Sequence, residues 1–177
     1  MDAPFIIPEY EMDASLERSI HDLLKKCFPG YPNDKTYYKQ TPSFRVLSQE
    51  DKQVIGHVAV DFRRINQAGK LATIFGLSDV CVDPAFRGLK WSARLITFIE
   101  ALALKKQVDF LILIAADISF YEGLGFEEVD NPHRWLIIQN DQSLGLAQRP
   151  LSPGLMIKSL NGQVWEPGPV DLLGAIF

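Results

Sequence analysis

Val80-Cys81-Val82-Asp83-Pro84-Ala85-Phe86-Arg87-Gly88-Leu89-Lys90-Trp91-Ser92 decides how this chain is read. An apolar run of strand character stops at Asp83-Pro84. A short loop carrying Arg87 and Gly88 then leads straight into a helix. Trp91, Leu95, Ile96, Ile99, Leu102 and Ala103 recur on one helical face, and Lys105-Lys106 suits the negative end of the helix dipole. A helix start gathers backbone N–H groups that have no intrahelical acceptor, together with a partial positive charge, and this suits a phosphate. Arg87 and Lys90 add positive charge beside it. Physical chemistry alone leaves two readings open: an anion site, or an ordinary strand–loop–helix joint.

Upstream, residues 71–82 end a series of three strand-like runs, after 44–48 and 54–65. Glu50-Asp51-Lys52 and Asn66-Gln67-Ala68-Gly69 supply the turns, so an antiparallel meander is expected. Before it, Leu16, Ile20, Leu23, Leu24 and Cys27 have helical spacing, with Asp13 or Ser15 as cap and Pro29-Gly30 as stop. Residues 5–7 form a short first strand, and 31–42 read as a loop. Downstream, residues 110–115 are apolar enough for a strand buried on both faces. Residues 118–124 form a short helix stopped by Gly125. Residues 135–138 and 155–160 read as closing strands, 140–153 as a loop, and the tail from 161 is rich in Pro and Gly. The order predicts an α/β (α+β) fold with a mixed, mostly antiparallel sheet flanked by helices, in a single domain over 1–177.

The chain has 177 residues, 47% of them hydrophobic and 23% charged, which is enough to bury one core of ordinary size. A net charge of −4 argues against a nucleic-acid partner and suits a cationic small-molecule amine. Cys27 and Cys81 read as buried small hydrophobes, and no cysteine spacing suggests zinc or a disulfide framework. His21, His57 and His133 are scattered and read as surface or core histidines, so no metal is expected. The acidic N-terminus does not resemble a signal peptide, and no apolar run is long enough to span a bilayer. The default expectation is therefore a cytoplasmic protein without a membrane partner. A homodimer through a strand edge or the tail stays open.

The segment from Arg87 to Ser92 resembles the coenzyme A-binding motif of GNAT acetyltransferases: Arg or Gln, two residues, Gly, one residue, then Gly or Ala. Here Arg87, Lys90 and Ser92 take those positions, with Lys90 and Ser92 where small residues usually stand. A second stretch, Ser119-Phe120-Tyr121-Glu122-Gly123-Leu124-Gly125-Phe126, resembles the family's later motif, a short helix after the fifth strand. The resemblance implies a sheet splayed at its fourth and fifth strands and acetyl-CoA, or another acyl-CoA, as cofactor. It implies contacts to that cofactor from Arg87, Gly88, Leu89, Lys90, Trp91, Ser92 and Ala93. It also implies that the backbone of Val80, Cys81 and Val82 binds the pantetheine arm. Tyr121 would protonate the leaving thiolate. Aligned with the family, Ser78 occupies the usual position of the general base. Asp79 is the adjacent carboxylate, and strand alternation turns it to the other face unless a bulge intervenes.

Ile55-Gly56-His57-Val58-Ala59-Val60-Asp61-Phe62-Arg63-Arg64 and the tail from Trp165 to Phe177 resemble the branch holding the two-prime aminoglycoside N-acetyltransferases and the nodulation N-acyltransferases. That branch implies a tail, 161–177, folding back toward the acceptor pocket, with Phe177 at the substrate. An amino sugar would then be the acceptor. Two alternatives keep the fold: a longer acyl donor, or an acyl-CoA sensor of weak activity.

Overall fold

The computed structural model describes residues 3–151 and 153–177. In chain order the elements are β1 (Phe5–Pro8), α1 (Ala14–Cys27), β2 (Phe44–Glu50), β3 (Gln53–Gln67), β4 (Lys70–Val82), α2 (Trp91–Lys105), β5 (Phe110–Ile114), α3 (Ile118–Glu122), β6 (Glu127–Glu128), β7 (Pro132–Gln139), β8 (Gln142–Pro150), β9 (Leu155–Ser159) and β10 (Val170–Ala175). They fall into two compact units, Met1–Asp61 with Ser78–Leu102, and Phe62–Leu77 with Ala103–Phe177. β3 and β4 each contribute residues to both.

In the first unit, Asp13 caps α1 by accepting from the N–H groups of Ser15 (2.9 Å) and Leu16 (2.8 Å). Of the two sequence candidates the carboxylate takes the position. The helix ends at Cys27, just before Pro29, which cannot continue it. Its buried face, Ile20, Leu23 and Leu24, packs with Tyr31, Leu47, Val54 and Cys81 into one apolar cluster. β1 pairs with β2 and β2 with β3, both antiparallel. The β2–β3 turn uses Asp51 and Lys52 at φ +48° and +66°, the left-handed pair that a two-residue hairpin requires. Cys27 is only half-buried, against the expectation, while Cys81 is buried.

In the second unit, β4 runs parallel to β5 from Ile74↔Phe110 to Leu77↔Leu113, and their described pairing stops there although β4 continues to Val82. β5 and β6 both pair antiparallel with β9. β10 lies parallel to β7 and antiparallel to the end of β3. Phe110, Ile112, Ile157, Trp135 and Val170 belong to this unit's own core. The expected mixed, mostly antiparallel α/β architecture is borne out.

Two stretches depart from the sequence reading. Residues 140–153 were expected as a loop, but most of them form β8, joined to β7 by a turn with Asn140 and Asp141 at φ +50° and +60°. Nearly every β8 residue is exposed, so no alternation of burial marks it. The Pro- and Gly-rich tail contains β10, whose ladder is broken between Asp171 and Ala175, where Leu173 turns left-handed at φ +50°. No helix among the described residues is long and apolar enough to cross a membrane.

Candidate functional site

After β4 the chain makes one 3-10 turn over Pro84–Phe86. Asp83 organises it. Its carboxylate accepts from the Ala85 N–H (3.0 Å) and pairs with Lys26 (3.1 Å), while its own N–H donates to the Ile55 carbonyl (2.8 Å). These donors, the Ala85 amide foremost, hold its carboxyl below the usual carboxylate range. Gly88 and Lys90 follow in left-handed conformations, φ +80° and +61°. Lys90 thus has the backbone that favours glycine at the position where the coenzyme A motif carries one.

Arg87, Gly88, Leu89 and Lys90 are exposed, Trp91 is buried, and Ser92 and Ala93 are half-buried. The bond from Arg94 N–H to the Lys90 carbonyl (3.0 Å) closes the first turn of α2. That leaves the N–H groups of Trp91, Ser92 and Ala93 without intrahelical acceptors. The indole N–H of Trp91 is buried with no hydrogen-bond partner, and the Arg94 guanidinium lies 4.8 Å from its ring centre. Arg87 folds back to donate weakly to the Val82 carbonyl (3.4 Å), which also receives the Cys27 thiol (3.4 Å). The Cys27 thiol is drawn down to about 7, first by the Cys81 thiol and then by Arg87. Donors without helical acceptors and positive charge at a helix start fit a phosphate group.

The second feature of this unit is Asp79. Ser78, Asp79 and Val80 are half-buried, and Asp79 breaks the extended strand at φ +50°. Simple alternation therefore does not fix which way its side chain faces. The Tyr31 hydroxyl donates to Asp79 Oδ2 at 2.7 Å. The Asp79 carbonyl accepts from His57 Nδ1 at 2.9 Å, and His57 Nε2 faces Arg45 Nη1 at 2.9 Å. A guanidinium can only donate, so Nε2 accepts and the proton sits on Nδ1. Burial first, and then Arg45, depresses the His57 pKa to about 3. Burial raises the Asp79 carboxyl. It also raises the Tyr31 phenol, with the Asp79 charge adding to the effect.

Sequence reasoning missed Tyr31, Arg45, His57 and Glu9, which joins Arg45 at 2.8 Å. The available signal was two charged or titratable residues, Arg45 and His57, set inside apolar strand runs. Arg45 and His57 are both 0% exposed, so each needs a polar partner.

In the second unit, Asp117 caps α3 by accepting from the Phe120 N–H (3.2 Å). α3 ends at Glu122, two residues earlier than expected, with Gly123 as its C-cap. The Tyr121 carbonyl accepts from Leu124 (2.9 Å) and Phe126 (3.1 Å) in the turn that follows, where Gly125 is left-handed at φ +83°. The Tyr121 ring meets Phe120 and Phe126 edge-on at 5.0 and 5.6 Å. Burial, with a contribution from Asp117, pushes its phenol up to about 12. The tail is tied down through Asn131, whose amide donates to the Gly168 carbonyl (2.7 Å) and accepts from the Trp165 indole (2.8 Å). The Phe177 ring lies close against Gly76. A Cβ at Gly76 would stand 2.5 Å from the Phe177 ring, and the Arg63 guanidinium lies 5.0 Å from the centre of that ring.

Solved structures with a similar fold include N-acetyltransferases. The chain is similar to a GNAT family N-acetyltransferase from Escherichia coli in complex with CoA (18% identity, 96% of this chain and 89% of that one, TM-score 0.63). It is similar to a GNAT family acetyltransferase from Brucella melitensis in complex with acetyl-CoA (18%, 94% of each chain, TM-score 0.59). A third is a GCN5-related N-acetyltransferase from Kribbella flavida (15%, 72% of this chain, TM-score 0.56), of which this chain spans only 33%. No curated protein matches in sequence. The family itself is shown by a match to the acetyltransferase (GNAT) domain over residues 11–129, well over half the chain: this protein belongs to the GNAT acetyltransferase family.

Proposed function

We propose that the chain is an acyl-CoA-dependent N-acyltransferase moving an acetyl group from acetyl-CoA to a primary amine of a small molecule, with amino sugars the first acceptors to try. The observation that carries this reading is the start of α2, where three backbone N–H groups lack helical acceptors beside Arg87 and Lys90. There Arg87, Gly88, Leu89, Lys90, Trp91, Ser92 and Ala93 would hold the pyrophosphate. The backbone of Val80, Cys81 and Val82 would bind the pantetheine arm and polarise the acyl carbonyl. When bound, acetyl-CoA supplies the acyl group activated as a thioester.

Asp79 serves as the proton acceptor for the amine. Its Oδ2 is engaged by Tyr31, and burial has made the carboxylate more basic. Ser78 stands beside it to orient a water. Tyr121 would give its phenolic proton to the leaving thiolate and regain one from solvent. With its phenol near 12, Tyr121 is protonated at neutral pH and has that proton to give. Cys81 takes no covalent part: the Cys27 thiol and burial keep it protonated. By the same resemblance, Phe177 and the tail from 161 would contribute to acceptor binding, within one catalytic domain over 1–177. The resemblance to the aminoglycoside and nodulation branch supports an amino-sugar acceptor.

Free-thiol release from acetyl-CoA across aminoglycosides, polyamines, amino acids and arylamines tests this. Turnover is expected with at least one aliphatic amine, falling about a hundredfold or more in Tyr121→Phe. If acetyl-CoA gave no thermal shift, the cofactor assignment would fall. A shift without turnover on any amine would favour a longer acyl donor or a sensor.

A further inference from the structure

We propose that His57, held as its Nδ1–H tautomer by the buried Arg45, is a positioning residue for acyl transfer that fixes the left-handed turn at Asp79 and so aims its carboxylate. This rests on the reading of Asp79 as the proton acceptor.

The relay begins at Glu9. Its two carboxylate oxygens take Arg45 Nε (2.8 Å) and Nη2 (2.9 Å). Arg45 Nη2 also donates to Thr36 Oγ1 (3.0 Å), and Nη1 donates to the Thr36 carbonyl (3.0 Å) and to His57 Nε2 (2.9 Å). Every N–H of the guanidinium thus has an acceptor, and the group cannot turn without breaking several charge-assisted bonds. His57 therefore presents the only proton it has, on Nδ1, to the Asp79 carbonyl (2.9 Å).

That bond sits on a strained residue. An L-residue at φ +50° is held there by its surroundings, and an aspartate tolerates the conformation better than most. Without the His57 donor, the Asp79 carbonyl would lose its buried partner. The turn would then relax and move the carboxylate away from the Tyr31 hydroxyl. His57 itself does not titrate across neutral pH, because its burial and the guanidinium facing it keep it neutral. It serves as a fixed strut between a buried cation and the kinked backbone.

Other groups facing Asp79 bear on its titration. Tyr31 and Tyr38 face it from the loop after α1, Arg45 from β2, and Cys81 from β4 itself. Glu9 acts on it through Arg45. If Glu9 were neutral, the guanidinium charge would be less compensated, and Asp79 would lose its proton at lower pH.

The test is the pH dependence of kcat/KM for the full chain and for Asp79→Asn, His57→Gln, His57→Asn and Glu9→Gln, each checked for a thermal shift with acetyl-CoA. In His57→Asn the amide N–H can stand in for Nδ1–H, and the acid limb is expected to stay at the wild-type pH. His57→Gln loses that donor. It is expected to lower kcat about tenfold to a hundredfold and to move the limb, with the acetyl-CoA thermal shift retained. Glu9→Gln is expected to move the limb to lower pH. A His57→Gln enzyme with wild-type kcat and limb, alongside an inactive Asp79→Asn, would overturn the relay and spare the proton acceptor. Full activity in Asp79→Asn would overturn the proton acceptor itself. If neither His57 variant folds, Glu9→Gln decides, and an unmoved limb there overturns the proposal.

Discussion

Asp79 lies just before the stretch Val80–Ser92 and Lys90 near its end, and both are non-glycine residues in the left-handed region, φ +50° and +61°. Each conformation costs on the order of 1–2 kcal/mol. They are held in opposite ways. Asp79 is gripped by side chains: Tyr31 on its carboxylate, and His57, backed by Arg45, on its carbonyl. Lys90 is exposed, and its one described restraint is the backbone bond from Arg94 that closes the first turn of α2. Around it the loop is roomy, since a Cβ added at neighbouring Gly88 would meet nothing within 4 Å. Groups that must aim at a reacting atom need a rigid frame. A loop that offers backbone donors to a phosphate needs the donors but tolerates many side chains.

The comparison breaks most easily at Arg45. It is 0% exposed and reaches Asp79 through the His57 hydrogen bond as well as through its charge. Arg45→Ala leaves Glu9, Thr36 and His57 Nε2 without their partner, so a loss of about 3–5 kcal/mol in urea unfolding is expected. A loss under about 1 kcal/mol would mean the grip on Asp79 comes from elsewhere and that the two kinks are not held differently.

The contrast also explains what could be read from the sequence. The Arg87 loop was legible because local chemistry makes it: a strand end, a helix start and basic residues lie adjacent in the chain. Tyr121 was legible through the Phe120-Tyr121…Gly125-Phe126 pattern, also local. Asp79 was visible as a residue, but its surroundings were not. Glu9, Tyr31, Arg45 and His57 come from four separate segments, and tertiary packing brings them together. Pairing Leu47 with His57 and Arg45 with Ala59 does this for the two strand residues. β8 escaped because an exposed strand carries no burial period. β10 was hidden among the Pro and Gly residues of the tail.

A third position on β4 sharpens the distinction between strain and packing. Gly76 is not left-handed, so glycine is needed there for space alone. A Cβ would fall 2.5 Å from the Phe177 ring. Gly76→Ala should destabilise by about 1–3 kcal/mol. In a Phe177→Ala background the same change should cost less than about 0.5 kcal/mol, because the clash is gone. Additive costs in that double-mutant cycle would mean that Phe177 does not occupy this position in solution and that the tail is not docked on β4.

The smallest effect is expected at Lys90. Replacing it with glycine removes the left-handed strain but loosens the unfolded chain, so Lys90→Gly should be neutral or stabilising by up to about 1 kcal/mol. The first-turn N–H groups of α2 are untouched, and only one exposed charge is lost, which should weaken acetyl-CoA binding by no more than a few-fold. Thermal unfolding with and without acetyl-CoA measures both. A destabilisation beyond about 1 kcal/mol would show that the lysine side chain itself holds the loop. The two kinks would then be alike, each fixed by side chains. A neutral result paired with a large loss of acetyl-CoA affinity would place the binding energy on the Lys90 charge rather than on the helix start, and Arg87 would become the next residue to neutralise.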